Sequence, residues 1–104
     1  MSVSDLEELF IYQLKQSGLP RPDTREFKFH PTRRWRADFL YSEPINLCVE
    51  IEGGEWVNGR HNRNLAKDAE KYNEMELMGY RLLRFTGSML KSGMAMEQMR
   101  RALT

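Results

Sequence analysis

The segment from Trp35 to Glu52 constrains the fold more than any other part of the chain. Two strand-length runs, WRADFLY and NLCVEIE, are separated only by Ser42, Glu43, Pro44 and Ile45. So short a connection turns the chain straight back, and the two runs are read as an antiparallel hairpin. A strand points successive side chains to opposite faces, which puts Leu47, Val49 and Ile51 on one side and Cys48, Glu50 and Glu52 on the other. In the first run Asp38 stands between Ala37 and Phe39, where an unpaired carboxylate is expensive to bury. Paired strands lie about 4.8 Å apart, so Asp38, Glu50 and Glu52 can converge on one small volume. Their mutual repulsion favours a cation among them, and a hard divalent ion such as Mg²⁺ takes oxygen ligands of this kind. The same residues also admit a plainer reading. Glu50 and Glu52 would then line the solvent face of an edge strand, with Asp38 paired to Arg33, Arg34, Arg36 or Arg84.

The flanking elements follow from periodicity and punctuation. Ser4 and Glu7 have the spacing of a capping box, and Leu6, Leu9, Phe10 and Leu14, with Gln13 nearby, share one helical face. Gly18 closes that helix, while Pro20 and Pro22 prevent its resumption. Glu26-Phe27-Lys28-Phe29 alternates as a first strand, and Pro31 ends it. After Gly53-Gly54 comes a polar loop carrying Trp56 and His61. Asn64 is read as the cap of a second helix reaching Met78, with Leu65, Ala69, Tyr72 and Met75 or Glu76 along one face and Gly79 as its stop. Tyr80 to Phe85 reads as a fourth strand. The remainder from Ser88 reads as one or two short helices with a break at Gly93. Met75, Met78, Met89, Met94, Met96 and Met99 stand at packing positions. The order α-β-β-β-α-β-α predicts an α/β domain, an α+β mixed sheet with helices.

Composition narrows the functional classes. At 104 residues the chain is sized for one domain, and its 40% apolar content suffices for a modest core. The net charge of +1 exerts no general pull on a polyanion, so contact with nucleic acid must rest on local clusters. The longest apolar run, Leu9 to Tyr12, falls far short of the roughly 18 residues of a membrane span. The N-terminus carries acid where a secretory signal carries base. A lone cysteine, Cys48, excludes a disulfide framework and a cysteine-rich zinc site, and a reducing, cytoplasmic setting is expected. Arg33, Arg34 and Arg36 immediately precede Asp38, and Arg60, His61, Arg63 and Lys67 follow the carboxylate strand. Two such clusters can hold a phosphate backbone over an acidic centre; taken singly, each is also what a solvated surface looks like. Trp56 suits stacking on a base or covering an apolar rim. His61 suits phosphate contact or proton donation, or capping of the second helix. His30, beside Pro31, is read as structural.

Four strings in order carry a resemblance: Arg36-Ala37-Asp38-Phe39, Val49-Glu50-Ile51-Glu52-Gly53-Gly54, Asp68-Ala69-Glu70-Lys71, and Gly79-Tyr80-Arg81-Leu82-Leu83-Arg84-Phe85. Together, over Ser4 to Leu90, the chain resembles the PD-(D/E)XK nuclease superfamily. Within it, the nearest likeness is to the branch of very short patch repair endonuclease-like (restriction endonuclease-like) proteins. The resemblance implies a restriction endonuclease-like core and an endonuclease that hydrolyses DNA phosphodiester bonds with Mg²⁺ or Mn²⁺, in DNA repair or a related process. It implies that Asp38 and Glu50 bind the metal, with the Ile51 carbonyl and with Glu7 from the first helix. Glu52 stands where the superfamily's lysine usually stands, so Lys71, with Lys67 behind it, is the substitute cation. That departure also leaves open a catalytically inactive relative that binds nucleic acid or a protein partner. A homodimer, suggested by the short core and the Met-rich C-terminus, would supply a second site for the other strand.

Overall fold

The computed structural model describes residues 1–53 and 65–104, with side chains from residue 68 onward in the second part. The elements are α1 (Val3–Gln16), β1 (Thr24–Lys28), β2 (Arg36–Tyr41), β3 (Leu47–Glu52), α2 (Leu65–Leu77), β4 (Arg81–Thr86), α3 (Gly87–Ser92) and α4 (Met94–Ala102). The expected order holds, with the last helical stretch split in two at Gly93, whose φ of 90° a side chain would resist.

The strands form one sheet in the order β1-β2-β3-β4. The β2–β3 hairpin is antiparallel, pairing Phe39 with Val49 and Tyr41 with Leu47. β4 lies parallel to β3, with Glu50 opposite Arg84, because the crossover through α2 brings the chain back in the same direction. β3 is therefore an inner strand, not the edge strand of the plainer reading.

Helices cover both faces. On one, Phe39, Tyr41, Leu47, Val49, Ile51 and Phe85 pack with Leu6, Phe10 and Leu14 of α1 and with Leu90, Ala95 and Met99 of α3 and α4. On the other, Ala37, Leu40 and Cys48 pack with Phe29 and with Met75 of α2. Cys48 is fully buried there, and burial first, then the charge of Glu50, pushes its thiol up to about 12. It is a packing residue.

Several sequence expectations are corrected. The cap of α1 is Ser2, whose hydroxyl accepts from the Asp5 N–H while the Asp5 carboxylate accepts from the Ser2 N–H, so Ser4 lies inside the helix and Glu7 is free of capping duty. The helix starts earlier than Ser4 would allow, and Val3 in its first turn packs on Gly53. A Cβ at Gly53 would come within 2.0 Å of the Val3 Cγ2 and 3.2 Å of its backbone, so only glycine lets α1 seat against the end of β3. β1 begins at Thr24 and stops before Phe29, which turns into the second core cluster. Met75 and Met99 are buried as expected, but Met78 and Met94 stand 41% and 48% exposed, each next to a helix-ending glycine.

The connections are pinned by polar anchors. The Tyr41 hydroxyl donates to the Pro20 carbonyl at 2.7 Å. Asp23 accepts from both the N–H and the hydroxyl of Ser42, at 2.6 and 2.7 Å, joining the entry of β1 to the exit of β2.

Candidate active site

Regular alternation fails at one place in the sheet. Residues two apart on a strand should share a face, yet Ala37 and Phe39 belong to opposite core clusters. The same reversal occurs on β1. Arg25 lies over the Phe39 ring, 5.2 Å from its centroid, whereas Phe27 packs on the other face. Asp38 and Glu26 are the residues between these register pairs. Glu26 takes a left-handed φ of 55°, uncommon without glycine. The ladder between β2 and β3 likewise starts only at Phe39. Just before it, the Asp38 carboxylate accepts from the Ile51 N–H at 2.7 Å, filling the place of a strand-to-strand bond. The strands part at Asp38, and an acid sits in the opening.

Its environment is electrostatically tense. Burial first raises the Asp38 carboxyl, the Ile51 N–H draws it back, and the charges of Glu50 and Glu7 raise it further against the pull of Lys71, leaving it at about 6. Carboxylates from three elements thus act on one another here: Glu7 from α1, Asp38 from β2 and Glu50 from β3.

Glu50 is the one charged residue among the buried described residues, 7% exposed, and alternation points it at α2. Lys71 places its Nζ 2.8 Å from Glu50 Oε1, and the Tyr72 hydroxyl donates to the same oxygen at 3.0 Å. Lys71 therefore reaches the site from α2, where the sequence put the substitute for the missing lysine. Glu7, 21% exposed at its side chain, has the Arg25 guanidinium 3.5 Å away, and Arg25 reaches Glu8 as well at 2.9 Å.

Glu52 is placed differently. Arg84 donates to it through Nε at 2.8 Å, and Nη2 lies 2.7 Å from the same oxygen, too poorly aligned for a second hydrogen bond and buried without another acceptor. The three-carboxylate convergence of Asp38, Glu50 and Glu52 is corrected accordingly: Glu52 pairs along β4, and the described residues gather no group of three His, Cys, Asp or Glu side chains that would cage a metal. Among the described residues no arginine pairs with Asp38 either.

The basic cluster before β2 is partly committed to the fold. Arg33 makes two bonds to Glu70, at 2.9 and 3.1 Å, and lies 4.0 Å over the Trp35 ring. Arg36 stands 3.6 Å from Glu26. Arg34 is exposed, with no ion pair among the described residues. His30 accepts on Nδ1 from the N–H groups of Thr32 and Arg33, which leaves the proton on Nε2 to donate to Glu74 at 3.1 Å. It holds the turn into Trp35 against α2. Trp56, Arg60, His61, Arg63 and the cap residue Asn64 lie outside the described residues, as does the side chain of Lys67.

Sequence reasoning missed the parts played by Tyr72 and Arg84. Tyr72 was grouped with the apolar stripe of α2, and only its position beside Lys71 hinted at a shared target. The Arg84 guanidinium stacks 4.3 Å over the Tyr72 ring, a contact that needed the parallel register of β3 and β4 to be foreseen.

No protein-family model and no curated protein sequence matches the chain. Among solved structures it is similar to the "Homing Endonuclease I-Bth0305I Catalytic Domain", with a TM-score of 0.60 and 20% identity over 99% of this chain and 93% of that one. The chain has a nuclease-like α/β fold, shared across nearly its whole length with that catalytic domain.

Proposed function

We propose that the chain is a metal-dependent endonuclease that hydrolyses DNA phosphodiester bonds, of the PD-(D/E)XK superfamily and its very short patch repair-like branch. The observation that carries the reading is the parting of β2 and β3 at Asp38, which brings its carboxylate beside the buried Glu50–Lys71 pair. A strand pair spends burial on such a group only where charge is needed. The fold shared with a homing endonuclease catalytic domain supports it.

The donor chemistry fits Mg²⁺ or Mn²⁺. Asp38, Glu50 and the Ile51 carbonyl are all hard oxygen donors, with Glu7 at hand from α1. Mg²⁺ commonly takes one or two carboxylates and keeps waters and substrate phosphates as its other ligands, so a cage of three acids is not required. When bound, the ion supplies Lewis acidity at a phosphoryl oxygen and acidifies a coordinated water. Asp38 and Glu50 would hold it. Lys71 stabilises the charge on Glu50 and stands ready to offset charge developing on the phosphate. Arg34, with Arg33 and Arg36 beside it, receives the neighbouring phosphates; Trp56, Arg60, His61, Arg63 and Lys67 complete the substrate contacts. Glu52 is fixed beside the site by Arg84.

One observation favours a second reading, an inactive relative that binds nucleic acid or a protein. Glu7, Glu50 and Glu52 each already have a protein cation, in Arg25, Lys71 and Arg84. Incubating supercoiled plasmid with Mg²⁺ or Mn²⁺ separates the two. Nicked or linear product from the wild type and none from Asp38→Asn is expected. An intact plasmid that is nevertheless retarded on a gel selects the binding protein.

A further inference from the structure

We infer that Tyr72 is a positioning residue for Glu50, setting the orientation in which that carboxylate meets a divalent cation. The inference rests on the nuclease reading and extends it to a side chain with no assigned part.

Two donors converge on Glu50 Oε1, the Lys71 ammonium at 2.8 Å and the Tyr72 hydroxyl at 3.0 Å, and no described residue donates to Oε2. The donors differ in what they can fix. A lysine head rides on a flexible four-carbon stem and follows a moving carboxylate. A tyrosine has two side-chain torsions, and here its ring is clamped. The Arg84 guanidinium lies 4.3 Å over one face, and the ring packs against the cluster of Ala37, Leu40, Cys48 and Met75. Arg84 is itself held by Glu52 on β3, two residues from Glu50. Tyr72 thus joins the rigid sheet to one oxygen of Glu50 and leaves the other to face a ligand.

Groups that orient a metal-binding carboxylate typically change metal affinity about 10- to 100-fold when removed. The test titrates Mn²⁺ by calorimetry into the wild type, Tyr72→Phe and a control, Tyr41→Phe, and measures plasmid cleavage by each. The control removes a buried hydroxyl from the opposite face, where it holds Pro20. The ring and its stack with Arg84 survive in Tyr72→Phe. Its thermal midpoint is therefore expected to match that of the control within a few degrees, its KM for DNA to be unchanged, and its Mn²⁺ Kd to rise about tenfold. Wild-type Mn²⁺ affinity in Tyr72→Phe, or an equal loss in the control, overturns the assignment of Tyr72 while leaving the nuclease reading intact. A wild type that takes up no Mn²⁺ and cuts no DNA overturns the nuclease reading, and the role of Tyr72 with it.

Discussion

The two faces of β3 obey opposite rules. Leu47, Val49 and Ile51 enter a layer where α1, α3 and α4 supply leucine, phenylalanine and methionine. Cys48, Glu50 and Glu52 point to the face that α2 covers, and only Cys48 enters an apolar cluster. The carboxylates meet Lys71, Tyr72 and Arg84 instead. Buried ion pairs recover little more than the desolvation they cost, and an apolar replacement of the same volume often stabilises as well or better. The helical face, under α1, α3 and α4, therefore supplies the larger apolar core, and the Glu50–Lys71 pair on the α2 face carries a cost to stability that the proposed function would explain.

Substitutions on each face should tell the two apart. The largest effect is expected from Phe10→Ala, since Phe10 is fully buried at the centre of the first face, against Phe39 and Phe85. A loss of about 3–5 kcal/mol is expected, a large share of the about 5–15 kcal/mol that a domain possesses, read by urea denaturation. Next comes Lys71→Met, which strands Glu50 without its cation and should cost about 3 kcal/mol. Adding Glu50→Gln to it should recover most of that loss. A double-mutant cycle with no coupling would mean that the α2 face is ordinary packing.

The Asp38 carboxyl gives the comparison a pH dependence. Folding raises it from 3.8 to about 6, so the folded state favours the protonated acid more than the unfolded chain does. Its contribution to stability is present in full below about pH 4 and is lost as pH rises through about 6. At most about 3 kcal/mol follows from that difference, reduced by solvent screening because the group is only partly buried. Asp38→Asn keeps an acceptor for the Ile51 N–H and removes the ionisation. It should equal the wild type near pH 4 and exceed it by about 2–3 kcal/mol at pH 7.5, while abolishing cleavage. Equal stability of the two at both pH values would show that Asp38 is not held at a cost. The smallest effect is expected from Tyr41→Phe on the helical face, about 1 kcal/mol for a single neutral hydrogen bond, with cleavage unchanged.

The same contrast explains what was legible in the sequence. The helical face is written in local periodicity, which is why Leu6, Phe10 and Leu14, the hairpin and the break at Gly93 could be read directly. Asp38 and Glu50 stood out because carboxylates in apolar strands need a reason, and Lys71 because the resemblance called for a cation that Glu52 does not supply. What escaped depends on distant partners. The seating of α1 through Val3 answers to Gly53, fifty positions along the chain. The pairing of Glu52 with Arg84 answers to the parallel register, and the engagement of Arg33 answers to Glu70 on α2. The reversal of alternation at Asp38 has no local sign, because Glu26, which takes the left-handed conformation beside it, is neither glycine nor asparagine.

The most direct test of the central claim is anomalous diffraction from crystals soaked in Mn²⁺. The account predicts a peak at the parting of β2 and β3, within coordination distance of the Asp38 and Glu50 carboxylates and absent from Asp38→Asn crystals. A well-ordered wild-type crystal with no Mn²⁺ there, or with the ion bound only elsewhere, would contradict it.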